Sequence, residues 1–456
     1  MVAVLSEAPD ARGQNREETS PGTLETNAED LDDLLNDLDG TQESNSKYLT
    51  GWKGFVEIKP RFYLRDRNES KNDEQLLFIS EFEFDFRFAE HLTGYFRPRI
   101  YVDGFDNELR RFEPFEGYLT YKSDRWDIRA GQLVENWGIV DTFNPIDIVN
   151  RRDFATDILD PDRLGEFGAR LRLLFSGSET VGEPTLSFYT LPVFRRTRFA
   201  PSAQRFGFGT SALPFKEDKG FEPDGFDRGL YALRFQSTLN TFIFNADVQL
   251  LAARGPERTP FISTFGKSYL SPAYYGAGIW GAGFRAVPNQ ETLGRFPASL
   301  TLKVEIVYKN FFTFDPSPIA EPDDYVAYVF GVDRDFYNVF SNQDQITATV
   351  EFADEAGASK HDPLGRFRPF RQDMILRVFW QANDFARKSL EVRSIFDFDS
   401  QEFIFESTFE TQLRAINEDL KLLIQFQYFD APDTRESFYS LFPDNTSLAI
   451  GFRWDF

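Results

Sequence analysis

The side chains of this sequence that could bind ions or react are those of arginines and acidic residues, which alternate with apolar side chains. The arginines come from the first third of the predicted strands, at Arg61, Arg97, Arg99, Arg129, Arg170 and Arg172, and acids lie among them at Glu81, Glu83 and Asp85. On neighbouring strands, such side chains can form ion pairs that stiffen a sheet. Around a water-filled passage, the same groups can favour charged solutes of one sign. The sequence leaves both interpretations open, and both place these residues on the inner face of a barrel.

The most unusual segment is a long connection at residues 136–164. Its marked positions are Trp137, Asp141, Asn144, Asp147, Arg151, Arg152 and Asp153. Asp, Asn-Pro and Arg in this pattern favour tight turns and fixed ion pairs. Apolar residues such as Ile139, Phe143 and Ile146 are too numerous for a solvated loop. We therefore expect the connection to fold into the barrel mouth, where it would narrow or gate a channel.

Metal and enzyme chemistry find little support in the sequence. Asp141, Asp147 and Asp160 could be combined into a calcium site, but their spacing matches no known calcium loop and Arg152 competes for the carboxylates. The chain has no cysteine and two histidines. Thiolate metal sites are thus excluded, and catalysis with histidine as the base is not expected. We expect a protein that is not an enzyme and has neither a cofactor nor a bound metal.

Composition argues against several other classes of protein. The 456 residues include 52 phenylalanines, although the chain is polar on average, so apolar residues must alternate with polar ones. A net charge of −23 argues against a nucleic acid partner. No apolar stretch reaches the ~18 residues of a transmembrane helix. Residues 1–12 lack the regions of a signal peptide, so we expect that one was removed or that the start is misassigned.

From Trp52 onward, apolar and polar residues alternate with the period of two that is typical of β-strands. The approximate spans of the predicted strands are 52–65, 76–89, 92–103, 113–122, 125–135, 165–176, 184–194, 227–238, 242–253, 274–287, 298–309, 324–335, 343–353, 371–383, 387–398, 402–414, 420–429 and 446–456. The sequence therefore predicts an all-β fold: an antiparallel up-and-down transmembrane β-barrel of about 18 strands (roughly 16 to 20) over residues 51–456.

The lengths of the connections also alternate. If Phe456 lies at the periplasmic end, the connections outside the cell are 66–75, 104–112, 136–164, 195–226, 254–273, 310–323, 354–370, 399–401 and 430–445. The connections on the other side are short. Short periplasmic turns and long external loops are typical of outer-membrane barrels. This assignment also places residues 1–50 in the periplasm.

Two further features favour a membrane barrel over a soluble β-sandwich, which is the alternative architecture. The predicted strands have about 10–14 residues, whereas soluble strands average about 5–6 and membrane strands need about 9–11. Tryptophans fall near strand ends or on the apolar face, as interfacial girdles require. These are Trp52, Trp126, Trp280, Trp380 and Trp454.

The end of the chain has apolar or aromatic residues at alternate positions. They are Leu448, Ile450, Phe452, Trp454 and Phe456. This pattern resembles the terminal signal of outer-membrane barrels, in which the barrel-assembly machinery reads a terminal Phe; an ordinary edge strand that ends in Phe is the alternative. The resemblance implies a location in the bacterial outer membrane. The assembly machinery and outer-membrane lipid would then be partners.

Residues 1–50 form an acidic segment that is predicted to be mostly disordered. Thr26 and Glu29 have the spacing of a capping box. Leucines follow at helical spacing, at Leu31, Leu34, Leu35 and Leu38. We predict a short helix near 27–39, which could dock a periplasmic protein through residues 26–40 or plug the pore. A transient helix in a tail is the alternative, because so short a helix is marginal in water.

Two segments carry a resemblance to a known family. The first contains Arg129, Gly131-Gln132, Trp137-Gly138, Asp141, Asn144-Pro145, Asp147 and Arg152-Asp153, and the second is Tyr328-Val329-Phe330-Gly331-Val332-Asp333. Together they resemble a widespread proteobacterial family of outer-membrane barrels of unknown function. Its members are often thought to act with inner-membrane exporters and lipid-handling periplasmic proteins. The resemblance implies export of lipid or another hydrophobic molecule.

Two functions therefore stay open. The leading hypothesis is a porin-like channel that passes small solutes through a charged lumen narrowed by residues 136–164. The alternative is an outer-membrane component of an export or envelope complex for lipid or hydrophobic cargo. In that case the acidic tail would dock a periplasmic partner.

Overall fold

The structure is a computed structural model that describes only part of the chain. The described residues are 42–43, 48–64, 72–200, 204–207, 214–217, 223, 228–264, 267–289, 299–313, 321–341, 343–357, 371–431, 442 and 445–456. The predicted helix near 27–39, with its four leucines, lies outside them. Within the described residues, no helix is both long and apolar enough to cross a membrane.

Alternation of apolar and polar residues gives an almost entirely β structure. The strands are β1 Gln42–Glu43, β2 Leu49–Tyr63, β3 Glu74–Ala89, β4 Leu92–Asp103, β5 Arg111–Lys122, β6 Trp126–Leu133, β7 Arg151–Asp153, β8 Asp162–Leu164, β9 Glu166–Leu174, β10 Thr185–Leu191, β11 Leu230–Asn240, β12 Phe244–Pro256, β13 Phe261–Ser263, β14 Ser271–Ala273, β15 Gly276–Pro288, β16 Leu300–Phe312, β17 Tyr325–Tyr337, β18 Gln345–Ala356, β19 Asp373–Gln381, β20 Ser389–Asp397, β21 Phe403–Gln412, β22 Leu420–Asp430 and β23 Ser447–Asp455. A 3-10 helix spans Asn107–Leu109.

Eighteen of the described strands form one closed antiparallel barrel, which confirms the predicted fold class. Each barrel strand pairs with its neighbour in the chain, and β2 pairs with β23 to close the ring, for example at Ile58 and Phe452. Observed strand ends differ from the predicted ones by no more than three residues. The first barrel strand starts at Leu49, slightly before the expected boundary. The short strands β7 and β8 pair with each other, as do β13 and β14.

The two ends of the barrel differ in the length of their connections. At one end, here called the mouth, the connections include 134–165, 192–229 and 257–275. At the other end, called the base, they are as short as 90–91, and the chain ends there at Phe456. The turn 398–402 is the exceptional short connection at the mouth, where the sequence also predicts a short one.

The two faces of the barrel wall have opposite character. Large apolar side chains are exposed on the outer face, among them Ile58, Phe112, Leu250, Trp280, Phe330, Val350, Leu376, Phe452 and Trp454. Charged side chains alternate with them on the inner face, for example Glu81, Arg99 and Glu305. An apolar outside around a polar inside is the reverse of a soluble sandwich, and it is the arrangement of a membrane barrel.

The packed apolar cores lie inside the barrel. One cluster joins Trp137 and Ile146 of the connection 134–165 to the walls of β10–β17. A second joins the mouth connections to apolar wall residues of β17–β22, such as Ile375 and Phe429. The inner wall thus has an apolar part near the mouth in addition to the charged residues predicted from the sequence.

Candidate functional site: the lumen and the connection 134–165

Several predicted arginines of the barrel wall meet acidic side chains of neighbouring strands. Arg170 on β9 lies 2.9 Å from Asp127, and Arg172 lies 2.6 Å from the same carboxylate. Arg97 pairs with Glu116 across the β4–β5 ladder at 3.0 Å. These arginines neutralise adjacent acids, which stiffens the wall.

The predicted acids of β3 belong to the same kind of network. Glu81 accepts a hydrogen bond from Arg99, whose Nη1 also lies 2.6 Å from Asp162 of the long connection. Glu83 accepts from the hydroxyl of Tyr95 at 2.8 Å. One of these acids therefore helps to tie the wall, through Arg99, to the connection inside the barrel.

The other predicted lumen residues also lie on the inner face. Arg61 is only 2% exposed and lies 3.7 Å from Asp157. The guanidinium of Arg129 lies over the ring of Tyr118, 4.1 Å from its centre. Asp85 follows Glu81 and Glu83 at the period of two on β3. The set predicted from the sequence is thus brought together on one wall of the barrel.

The polar residues of the connection 134–165 bind one another and the wall. Asp147 accepts hydrogen bonds from Arg152 at 2.5 Å and from Arg163 at 2.6 Å. Asp141 lies 2.6 Å from the Nζ of Lys303 on β16. Two of the three carboxylates considered for calcium are therefore neutralised by cationic side chains, which argues against that alternative.

Trp137 and Asn144 fix the tight turns at the start of the connection. Trp137 is fully buried, with its ring 5.1 Å from that of Tyr189, and its backbone N–H donates to Asp147 at 3.3 Å. A Cβ on Gly138 would lie 2.3 Å from Cγ of Asn144, so only glycine fits there. The sequence analysis placed both residues in the predicted constriction, and in the structure they position the connection.

Arg151 and Asp153 belong to a buried ion-pair network at the mouth. Asp153 is fully buried and lies 2.5 Å from Arg111 and 3.0 Å from Arg198. Arg151 lies 3.3 Å from Glu166. Burial and neighbouring arginines lower the pKa of Arg151 to about 10, which leaves its guanidinium charged at neutral pH.

Two buried glutamates of the barrel wall, which are not among the residues predicted from the sequence, bind the connection. Glu305 on β16 and Glu351 on β18 are both fully buried and accept hydrogen bonds from its backbone N–H groups. The donors are Ile139, Val140 (3.0 Å) and Ile146 (3.4 Å) to Glu305, and Asp141 (2.6 Å) and Thr142 (3.1 Å) to Glu351. In sequence, both glutamates look like ordinary inward-facing polar residues of a strand.

The sequence predicted one inward-folded connection, but parts of two others also pack inside the mouth. Phe206, within 192–229, packs near Phe429 and Phe442, with ring centres 6.1 and 6.2 Å away. Ile262 and Leu270, within 257–275, are 2% and 6% exposed and join the same apolar cluster. The sequence carries the same signal for these two connections as for 134–165, namely apolar residues in a connection that was expected to be solvated.

A water-accessible cavity of about 380 Å³ lies between the connection 134–165 and the wall of β2–β4 and β19–β22. Acidic side chains dominate its lining. They are Asp157, Asp160, Asp162, Glu391, Glu406 and Glu410, against Lys59 and Arg393. A second cavity of about 210 Å³ lies between the same connection, residues 257–261 and the opposite wall.

Asp160 is the most weakly compensated carboxylate of the larger cavity. Among the described residues it makes no ion pair within 4 Å, although its side chain faces the cavity. Burial within the barrel raises the pKa of Asp160, as do the neighbouring Asp157, Asp162 and Glu406, while Arg393 lowers it. The other five carboxylates of the cavity each have a basic side chain within 4 Å, so Asp160 is the position where negative charge is least compensated.

The residues of the predicted terminal signal lie at the seam of the barrel. Leu448, Ile450, Phe452 and Trp454 alternate along β23 on its outer face. Phe456 exchanges two backbone hydrogen bonds with Gly54 of the first barrel strand, at 2.8 and 2.9 Å. Its ring lies 5.8 Å from that of Trp52 and 5.4 Å from that of Trp454.

No protein-family model and no curated protein matches this chain. Solved structures similar to it include three outer-membrane barrels. Acinetobacter baumannii OccAB4 has 8% identity over 91% of this chain and 99% of that chain, with a TM-score of 0.47. A BenF-like porin from Pseudomonas fluorescens Pf-5 has 9% identity over 89% and 97%, with a TM-score of 0.49. Wzi of Escherichia coli, a carbohydrate-binding barrel involved in group 1 capsule assembly, has 11% identity over 87% and 83%, with a TM-score of 0.47.

Proposed function

We propose that this protein is a porin-like channel of the bacterial outer membrane, which passes small solutes through a charged lumen narrowed by the connection 134–165. The observation that carries the proposal is the closed barrel with an apolar outer face around the acidic 380 Å³ cavity. A closed β-barrel has no unpaired strand edge and is therefore stable in lipid, and its polar interior can hold water. In this arrangement the base faces the periplasm and the mouth faces outward.

The charge of the cavity supports a preference for cations. Six carboxylates line it among the described residues, and Asp160 is the one that has no basic side chain within 4 Å. Fixed charge at close range raises the local concentration of ions of the opposite sign. We expect small cations to pass more readily than anions of the same size.

Planar bilayers provide the direct test of conduction. The purified full-length protein should give defined conductance steps, and they should be small because two apolar clusters fill much of the mouth. A variant in which a short linker replaces residues 136–164 should conduct more. Absence of any conductance from both proteins, each shown to be folded, would refute the channel.

The same apolar clusters favour a second candidate, an outer-membrane component of an export or envelope complex with an occluded lumen. In that function, the acidic residues 1–50 dock a periplasmic partner. Pull-down from periplasmic extract, with the full chain and with a chain lacking residues 1–50, separates the cases. Equal recovery of partners by the two proteins would remove the tail as the dock.

A further inference from the structure

We propose that a patch of the inner wall positions the connection 134–165 as a permanent constriction, an inference that rests on the proposed channel function. The wall patch is defined as Gln249, Gly281, Gly283, Glu305 and Glu351. These residues lie on β12, β15, β16 and β18 and face the lumen. They were not among the predicted functional residues, because their partners are far away in sequence.

The two glutamates of the wall patch accept hydrogen bonds from backbone N–H groups of the connection. Glu305 and Glu351 together accept five N–H donors from residues 139–146, and both carboxylates are fully buried. A buried carboxylate is costly unless hydrogen bonds satisfy it. Bonds to a charged acceptor are also stronger than neutral ones. The wall and the connection therefore satisfy each other, and the contact fixes the path of the main chain.

The shape of the wall patch fits the same segment. A Cβ on Gly283 would lie 2.5 Å from Cδ1 of Ile139, and a Cβ on Gly281 would lie 3.2 Å from Cγ2 of Ile146. The two glycines thus leave recesses that the isoleucines fill. Close packing of this kind is specific to one position of the connection.

Gln249 fixes the beginning of the constriction. Its Nε2 donates to the carbonyl oxygen of Trp137 at 2.5 Å, while its Oε1 accepts from Arg234 at 2.6 Å. Because Arg234 can only donate, it sets the orientation of the amide. The glutamine, 2% exposed, therefore holds the turn at Trp137 against the wall.

These contacts favour a permanent constriction over a movable gate. Leaving the wall would remove the acceptors of five N–H groups and empty two apolar recesses in one step. Residues with that many coupled contacts open rarely, at a free energy close to that of global unfolding. Gln249, Glu305 and Glu351 are therefore positioning residues for the lumen.

Amide hydrogen exchange on the full-length protein in detergent micelles tests the proposal. The amides of residues 139–142 should exchange as slowly as those of β16. Glu305→Gln and Glu351→Gln keep the side-chain shape, and each should speed exchange of its own donors by about tenfold. Gly283→Ala should speed exchange at Ile139 without changing any charge. Glu83→Gln, an inward-facing carboxylate that does not touch the connection, is the matched control and should leave residues 139–146 unchanged.

Two outcomes would overturn the proposal. One is wild-type exchange at residues 139–142 as fast as in the exposed turn 123–125. The other is a folded double variant, Glu305→Gln with Glu351→Gln, whose exchange matches wild type. If the glutamate variants do not fold, the wild-type measurement and Gly283→Ala still decide the question.

The exchange experiment is independent of conduction. Slow exchange in a protein that never conducts would support the role of the wall patch and refute the channel function. Fast exchange in a protein that conducts would refute the role of the wall patch and support the channel function.

Discussion

At the scale of single residues, carboxylates inside the barrel differ in how fully basic side chains neutralise them. Asp147 and Asp153 are each held by two arginines. Asp160 lines the larger cavity and has no basic side chain within 4 Å among the described residues. We therefore expect substitution of Asp147 to change stability and substitution of Asp160 to change which ions the cavity favours.

Removal of charge from the cavity should weaken the proposed cation preference. Asp160→Asn should lower the ratio of cation to anion permeability by roughly fivefold, which corresponds to about 1 kcal/mol per charge at short range. Glu410→Gln should lower it less, because Lys421 lies 3.4 Å from the Glu410 carboxylate. The reversal potential in a potassium chloride gradient measures this ratio. Asp124→Asn, in an exposed turn of the base, is the control and should have no effect. An unchanged ratio in both lumen variants would contradict the acidic path.

Acidification should have the same effect as these substitutions. Protonation removes the negative charge of Asp160, and its raised pKa means that this charge disappears at a higher pH than that of a free aspartate, about 3.9. Cation preference should therefore fall as the pH drops from 7 towards 4. The Asp160→Asn variant should show a weaker pH dependence than wild type. Equal pH dependence in the two proteins would exclude Asp160 as the titrating group.

Removal of a neutralising carboxylate should reduce stability. Asp147→Asn removes the negative charge that Arg152 and Arg163 share and should lower the free energy of unfolding by about 2 kcal/mol. Urea titration of the protein in lipid vesicles measures this change. Glu217→Gln, in the more exposed pair with Arg196, should cost less than about 1 kcal/mol. Equal losses in the two variants would mean that burial of the Asp147 network contributes nothing.

At the scale of the elements, β23 has two possible roles, as a sorting signal and as the strand that closes the barrel. Phe456 combines backbone pairing to Gly54 with ring contacts to Trp52, Phe82 and Trp454. Packing at the seam would matter in any environment. Recognition by an assembly machine would matter only in a cell.

Phe456→Ala separates these two roles. If the residue is mainly a signal, the folded fraction in cells should fall several-fold while the purified chain refolds into detergent as wild type does. If it is mainly packing, refolding in vitro should suffer too, because an aromatic truncation costs up to about 3–5 kcal/mol in a buried site. Phe398→Ala, an exposed phenylalanine at the mouth, is the control. Normal folding of Phe456→Ala both in cells and in detergent would exclude both the signal role and the packing role of Phe456.

At the scale of the whole molecule, closure of the sheet is what makes the barrel compatible with lipid. The seam between β2 and β23 pairs residues from opposite ends of the chain, including Ile58 with Phe452 and Phe62 with Leu448. Because every barrel strand has two neighbours, no row of backbone groups is left unpaired at an edge.

A disulfide across the seam should form only in the closed barrel. The native chain has no cysteine, so Ile58→Cys with Phe452→Cys introduces one possible pair. Antiparallel register partners have Cα atoms about 4.5–5.5 Å apart, which is within the about 4.4–6.8 Å that a disulfide spans. The oxidised protein should migrate differently from the reduced one on a denaturing gel. Ile58→Cys with Leu448→Cys, four residues out of register, should not cross-link, and equal cross-linking of both pairs would contradict the observed seam.

Strand positions and strand number could be predicted from the sequence because they depend on a local period. A residue such as Phe84 shows its outward direction through its neighbours two positions away, and the same rule gives every barrel strand. The unusual composition of residues 136–164 could likewise be read locally, as could the alternation along β23. In these cases the information lies within a dozen residues.

What occupies the lumen was decided only by the tertiary structure. The contact between Ile139 and Glu305 joins residues 166 positions apart, and no local pattern distinguishes Glu305 from any other inward-facing acid. The same holds for the recess at Gly283 and for the parts of 192–229 and 257–275 that pack inside the mouth. Closure of the sheet brings opposite walls together, and that geometry determines which polar residues become buried acceptors and which face water.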